Sequence, residues 1–588
     1  MVSARPEGPV EVRWKALREA QFWVNGEALL PGPRKGANWK EETRVDLSAR
    51  LRPGMNTLRV RVRNPLGPAL LWLRVEGLEE RVVTDGSWKS QTGPDSMVPV
   101  ILADDTRALP DSRMAPSPLG ALRRQGPWVL FLFAFALGAW GTGRFIFRGE
   151  GRRLLPGAAL AGVMAFWFYL FFAKMIHLPP DMGFDALDHL DYIAHILKEK
   201  NIPLASDGWS MFHPPFFYLL SAALWKGTAF LYPSVPPFQV LKVIPFLSGL
   251  GSVWLARSLG RMMFPGDPVR VSLVILAAGT LPMNIYMSAY VGNEPLHAFL
   301  VGLALVLTLH VWRAGKTNLS HLLALGGVLG LAVLTKVTAW VLVPLVGVFL
   351  FYKWVRVEGE SFWESAARLG LFSLILGGVS GWYYLRNFFY FGHFIVINWD
   401  LPGSLWWQDP GFHTPAYYLS FGDVLRHPYF PGFRSFWGSL YATLWGDGMI
   451  GGHAFWDRRP LAWNYDFMSI TYLFALPAVG VMAVGLVDNL KSLWKGTPDD
   501  SRGERAFLLL AVYGLALFLL FSTLKVPIYS QAKAFYALCT LGPLSWIFAS
   551  GLGILRDRLR VPLLLPLRGL LYGWLGTLFL LIFLSFGY

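Results

Sequence analysis

The chain has 588 residues, of which 54% are hydrophobic and 15% charged, against about 25% charged in a soluble globular protein. That deficit excludes a water-soluble fold for most of the chain. The formal charge of +15 does not indicate nucleic acid, because Lys and Arg lie in short segments between apolar runs and form no basic patch across a folded domain. The single cysteine, Cys539, excludes an intramolecular disulfide and any Cys-cluster metal site.

Residues 1–115 lack long apolar runs and alternate as half-buried strands do, as in Thr57-Leu58-Arg59-Val60-Arg61-Val62-Arg63 and Leu71-Trp72-Leu73-Arg74-Val75. Asn25-Gly26, Pro53-Gly54 and Asp85-Gly86 punctuate them as turns. This predicts a small β-sandwich. Its Trp23-Val24-Asn25-Gly26, Leu51-Arg52-Pro53-Gly54-Met55-Asn56-Thr57-Leu58 and Thr84-Asp85-Gly86-Ser87-Trp88 resemble the galactose-binding-like jelly roll. The resemblance implies either a carbohydrate-binding or a purely structural module. Residues 116–127 read as a linker.

From Trp128 onward, apolar stretches near the length of a crossing, about 20 residues, recur to the C-terminus. They predict an additional helix at 128–147 and then spans at 155–177, 238–257, 271–291, 295–313, 319–336, 337–354, 367–386, 466–488, 506–524, 535–554 and 567–587. The 214–231 segment opens with His213-Pro214-Pro215 and contains Lys226, and is expected to lie at the interface. Strict alternation puts Arg144, Arg148, Arg257, Arg261, Arg313, Lys353, Arg368, Lys491, Lys495, Arg556 and Arg560 on one side, which the positive-inside rule makes cytoplasmic. The sandwich and the loops 178–212 and 387–465 are then extracytoplasmic, in the cell (inner) membrane. Residues 1–20 are charged and lack an apolar leader core, so either the first span translocates the sandwich or a leader precedes residue 1.

The first external loop carries the densest polar cluster, Asp181-Met182-Gly183-Phe184-Asp185-Ala186-Leu187-Asp188-His189-Leu190-Asp191-Tyr192. On a helix, Asp185, Asp188, His189 and Tyr192 share one face. A carboxylate at the water–lipid boundary can take the proton of an attacking hydroxyl; equally, aspartates are favoured in a first helical turn.

This loop, followed by Phe212-His213-Pro214-Pro215-Phe216-Phe217-Tyr218, resembles the GT-C superfamily of membrane glycosyltransferases. Within it the likeness is to the protein mannosyltransferase and aminoarabinose transferase group, glycosyltransferase family 39-like. Gly292-Asn293-Glu294, Leu334-Thr335-Lys336-Val337-Thr338, Trp382-Tyr383-Tyr384-Leu385-Arg386-Asn387, Ser435-Phe436-Trp437-Gly438 and Gln531-Ala532-Lys533-Ala534-Phe535-Tyr536 follow in order. The resemblance covers residues 155–588 and implies a polytopic α-helical membrane protein of GT-C type, with about 11–13 transmembrane helices of ~20 residues each. It implies transfer of a sugar, with inversion, from a polyprenyl-phosphate donor to a glycan, lipid or protein acceptor outside the membrane.

In that family the first-loop aspartate is the base, which corresponds to Asp185. The family often follows it with Glu, where this chain has Ala186, so Asp188 is either a second carboxylate or the base itself. Lys336, in an apolar stretch, either meets the carrier phosphate at headgroup level or snorkels there without a ligand. Arg386 and Lys533 either neutralise the departing phosphate or anchor helix ends. His189, Tyr192, His213, Asn293, Glu294, Gln531 and Tyr536 complete the expected substrate-binding set. His189, His213 and Glu294 have no local metal-ligand spacing, so no cofactor is expected, with a divalent metal as the less favoured alternative. No Gly-rich phosphate loop between strand and helix occurs, which argues against a soluble nucleotide-sugar enzyme. The external loop adds Trp399, Trp406, Trp407, Trp437, Trp445, Trp456 and Trp463, with Asp400, Asp409, Asp423, Asp447 and Asp457 as reserve acids.

A transporter or lipid flippase would show repeats and ionisable residues between two halves at mid-bilayer, and no repeat is evident. An O-antigen ligase or polymerase would share the lipid-linked donor and differ in the length of glycan it adds. A sugar-sensing protein would lose all function with residues 1–125.

Overall fold

Strand and helix segregate along the chain as its hydropathy does. The computed structural model describes residues 8–16, 19–29, 43–63, 71–78, 82–93, 96–100, 116–147, 149–397, 414–452, 462–494, 501–526, 530–559 and 564–587.

The N-terminal strands are β1 (Glu11–Ala16), β2 (Glu19–Val24), β3 (Glu27–Ala28), β4 (Thr43–Asp46), β5 (Leu58–Arg63), β6 (Leu71–Glu76), β7 (Val82–Val83), β8 (Lys89–Gly93) and β9 (Ser96–Pro99). They form antiparallel sheets in the orders β4-β1-β6-β7 and β3-β2-β5, with a β8-β9 hairpin. The two larger sheets share one core. Val12, Trp14, Leu73 and Val75 from the first meet Ala20, Phe22 and Val24 from the second, and the Trp14 and Phe22 rings lie 4.4 Å apart. A sandwich is what period-two alternation on two sheets demands. Asn25 and Gly26 turn the chain through left-handed φ values of 52° and 88°, as a tight hairpin requires. The Asn25 amide donates to Asn56 Oδ1 at 2.8 Å and to the Arg50 carbonyl at 3.0 Å. The two jelly-roll-like motifs thus hold each other.

Helices begin with α1 (Pro118–Ile146), α2 (Leu155–Ala173), α3 (Ala186–Glu199), α4 (Phe216–Leu231), α5 (Pro237–Leu241) and α6 (Val243–Met263). Then come α7 (Pro268–Thr280), α8 (Pro282–Met287), α9 (Glu294–Arg313), α10 (Leu319–Val333), α11 (Leu342–Arg356) and α12 (Phe362–Phe391). The rest are α13 (Pro415–Leu419), α14 (Phe436–Trp445), α15 (Tyr465–Phe474), α16 (Leu476–Trp494), α17 (Ser501–Lys525), α18 (Leu541–Arg558) and α19 (Leu565–Gly587). Among the described residues nine helices, taken with the turns that extend them, are long and apolar enough to cross a bilayer, and α4, α7 and α10 are shorter apolar helices. The chain is a multi-pass membrane protein with an N-terminal β-sandwich.

Three expectations need correction. The 116–127 linker is helical from Pro118, because Ser117 caps the Gly120 N–H and Pro stands in the first turn. The run 271–291 breaks after Thr280, where Leu281 is extended and Pro282 opens a new turn. The run 466–488 divides into α15 and α16 at Ala475.

Small residues let helices close tightly. A Cβ on Gly485 would lie 2.0 Å from the Ile547 carbonyl oxygen, and one on Gly551 1.9 Å from that of Val481, so α16 and α18 meet backbone to backbone. Helix α9 runs from Glu294 to Arg313, which pairs with Glu504 at 2.5 Å; α18 ends near Arg556, which pairs with Asp267 at 3.1 Å. These cations therefore sit at the helix ends away from Glu294.

Candidate active site

The loop before α3 is bent by its backbone. Gly183 has φ +136°, and a Cβ there would come within 2.8 Å of Tyr290 Cβ. Asp185 adopts φ 54°, ψ 25°, a left-handed conformation that costs an L-residue about 1–2 kcal/mol and that Asp tolerates better than most. Its carbonyl accepts the His189 N–H at 2.9 Å, so α3 starts just beyond it. The carboxylate is left exposed at the helix mouth.

The inward face of α3 carries His189 and Tyr192, both buried. His189 Nδ1 lies 2.7 Å from the Tyr218 hydroxyl on α4, Tyr192 stacks on Tyr218 at 3.7 Å, and the Tyr192 hydroxyl donates to the His213 carbonyl at 3.2 Å. Burial pulls His189 down to about 4 against the attraction of Asp185. It pulls His213 well below the usual imidazole range, with the nearby Lys336 charge adding to it. Both rings are neutral at pH 7. The sequence placed Asp185, Asp188, His189 and Tyr192 on one face; here His189 and Tyr192 pack against α4 while Asp185 caps the helix and Asp188 is half-buried.

Lys336 stands in an extended link between α10 and the turn preceding α11. Its ammonium donates to Glu294 Oε1 at the start of α9, and both residues are buried, 7% and 6% exposed. Asn293 reaches the Thr335 carbonyl at 3.5 Å, so the two links are joined twice. Lys336 also lies 4.9 Å from the Tyr536 ring.

Lys533 is different. It is 5% exposed, and among the described residues no carboxylate forms an ion pair with it. Its ammonium is caged by the rings of Phe184 at 4.9 Å, Phe535 at 5.2 Å and Tyr536 at 5.6 Å. Burial pulls it below the usual lysine range, Asp185 and Glu294 push it back up, and Lys336 lowers it further. Helix α14 fixes the segment: Thr443 Oγ1 accepts the Ala534 N–H at 2.8 Å, and Ser439 donates to the Ala532 carbonyl. Gln531, half-buried, accepts the Lys533 N–H on its carbonyl at 3.0 Å.

Asp185, His189, His213, Glu294, Lys336, Lys533 and Tyr536 thus gather around one site. Arg386 is engaged with backbone. Its guanidinium donates to the Ile202 carbonyl at 2.6 Å and the Pro203 carbonyl at 3.0 Å, clamping the chain after α3. Phe184, Tyr218 and Phe535 were not among the expected site residues, although each lies inside a motif that supplied some. Trp437 is exposed, Trp445 and Trp463 are buried, and Asp423 is paired with Arg434 at 2.6 Å. Trp399, Trp406, Trp407, Trp456, Asp400, Asp409 and Asp457 lie outside the described residues. Among the described residues no group of His, Cys, Asp or Glu is arranged to hold a metal ion.

No protein-family model matches the chain, and no curated protein matches it. Among solved structures it is similar to the Archaeoglobus fulgidus oligosaccharyltransferase crystallised with Zn and sulfate, at 14% identity and TM-score 0.43, over 73% of this chain and 53% of that one. The same protein, AglB, with an inhibitory peptide and a dolichol-phosphate matches at 13% identity and TM-score 0.44, over 75% and 56%. ArnT from Cupriavidus metallidurans bound to undecaprenyl phosphate matches at 14% identity and TM-score 0.31, over 68% and 77%. The chain spans about half the length of the archaeal protein.

Proposed function

We propose that the protein is a membrane glycosyltransferase that moves a sugar from a polyprenyl-phosphate carrier to an acceptor hydroxyl on the extracytoplasmic face, with inversion. The observation that carries this reading is Lys533, a buried ammonium held by aromatic rings with no carboxylate ion-paired to it among the described residues. Burying an unpaired charge is costly, and an incoming phosphate removes that cost. Lys336 is already paired with Glu294 and Arg386 is engaged with the Ile202 and Pro203 carbonyls, so of these three cations we assign Lys533 to the carrier phosphate.

The reaction balances on these groups. The acceptor oxygen attacks the anomeric carbon, the bond from that carbon to the phosphate oxygen breaks, and the polyprenyl phosphate departs as an anion onto Lys533. Asp185 takes the acceptor proton; Asp188 is the alternative. The neutral His189, bonded to Tyr218, orients rather than neutralises. Water exclusion around Lys533 strengthens its contact with the phosphate.

Changing Asp185 and Asp188 separately to Asn tests this with a radiolabelled polyprenyl-phosphate sugar. Asp185→Asn should lower transfer by about 10²–10⁴-fold, the usual contribution of a general base. Full activity in both variants would end the proposal.

A further inference from the structure

Asp447, between α14 and α15, is a carboxylate that the proposed reaction leaves unused, and it is fully buried. Its Oδ2 accepts the Tyr290 hydroxyl at 2.6 Å and the Gly451 N–H at 2.8 Å. Trp463 Nε1 donates to the same Tyr290 hydroxyl at 3.0 Å. The Gly451 carbonyl in turn accepts the Gly183 N–H at 3.0 Å, two residues before Asp185. This junction is built for backbone contact. Gly451 and Gly452 have φ 63° and 81°, and a Cβ on Gly452 would lie 3.1 Å from the Gly183 carbonyl oxygen. Tyr290 reaches the loop a second way, with its ring 6.1 Å from that of Phe184, one wall of the Lys533 cage.

We infer that Asp447 is a positioning residue: by gripping Gly451 and Tyr290 it sets the Gly183–Asp185 backbone, and so aims Asp185 and Phe184 at Lys533. The inference rests on the transferase reading for its kinetic consequences, though not for its geometry. A carboxylate that touches no reacting atom can still govern rate, because a misplacement of about 1 Å costs on the order of 10²-fold.

The charge of Asp447 matters to the grip, since a hydrogen bond to an ionised acceptor is roughly twice as strong as a neutral one. The groups facing it are Tyr286, Tyr290, Tyr429, Tyr465 and Tyr472, and among the described residues no cation pairs with it. Burial therefore lifts its carboxyl to about 6, while the bonds from Tyr290 and Gly451 hold it down. As pH falls through that value the grip weakens.

The test uses the full chain in detergent, wild type against Asp447→Asn. The Asn variant should lose about 10–100-fold in kcat, with the KM for the polyprenyl-phosphate sugar within about threefold. The wild-type rate should decline as pH drops through about 6, and the uncharged Asn variant should lack that limb. Wild-type kcat in the Asn variant, or an intact acid limb, would overturn the inference. Amide hydrogen exchange at Gly183 and Gly451 provides a readout independent of activity. It should quicken in Asp447→Asn and in Tyr290→Phe, whose global melting reports any general loss of fold. Unchanged exchange refutes the grip even if no transfer is found; quickened exchange in a protein with no transferase activity upholds the grip and rejects only the transferase reading.

Discussion

Lys533→Met is expected to cut kcat/KM for the polyprenyl-phosphate sugar by about 10²–10³-fold, the range seen when one preorganised charge-stabilising group is removed. Most of the loss should fall on kcat, because the ammonium meets more negative charge as the phosphate departs than in the bound donor. Binding of free polyprenyl phosphate should weaken in parallel. The same substitution should not destabilise the fold. Lys533 is 5% exposed with no carboxylate partner among the described residues, so Met fills a cage of Phe184, Phe535 and Tyr536 at lower desolvation cost.

The sign can be checked by pH. Burial lowers the folded-state pKa of Lys533, so the unfolded chain holds that proton more tightly. Wild-type stability relative to Lys533→Met should then rise as pH climbs toward the ordinary lysine value, about 10.4. Melting curves in one detergent across pH 7–10 measure this. A Met variant that is both less stable and fully active would remove Lys533 from the mechanism.

Which parts of this site could be read from sequence follows from what each residue's signal depends on. Lys336 stood out because an ammonium in an apolar stretch is rare and costly, and that holds whatever its partner; Lys533 came only with the Gln531–Tyr536 motif of the family resemblance. The pairing of Lys336 with Glu294 joins residues 42 positions apart, and no local pattern encodes it. Periodicity grouped Asp185 with Asp188, His189 and Tyr192, yet periodicity presupposes helical φ, and Asp185 has the opposite sign. Arg386 read as either a phosphate contact or a helix-end anchor because it ends a span, and the partners it has here, the carbonyls of residues 202 and 203, have no side-chain signature. The sandwich was legible from two of its strands, since the alternation read at 57–63 and 71–75 coincides with β5 and β6. The break at Pro282 was hidden by the apolar residues on both sides of it.

Glu294→Gln should be the most damaging single change to stability in the site. It leaves the Lys336 ammonium, 7% exposed, without its counter-charge, and breaking a buried ion pair from one side costs about 3–5 kcal/mol. The double variant Glu294→Gln with Lys336→Met removes the orphaned charge and should recover most of that loss, because a buried pair is worth little more than the apolar groups that replace it. The cycle therefore separates the pair's structural role from its chemistry. In the single variant two unpaired cations, Lys336 and Lys533, face one site and already oppose each other's charge. An anion should then bind more tightly. Added polyprenyl phosphate should raise the melting temperature of Glu294→Gln more than that of wild type, as preferential binding to the folded state requires, and turnover should slow because the product phosphate leaves less readily. If the lipid phosphate stabilises wild type and Glu294→Gln equally, Lys336 does not face the carrier site, and Glu294 serves only to keep α9 and the α10–α11 link together.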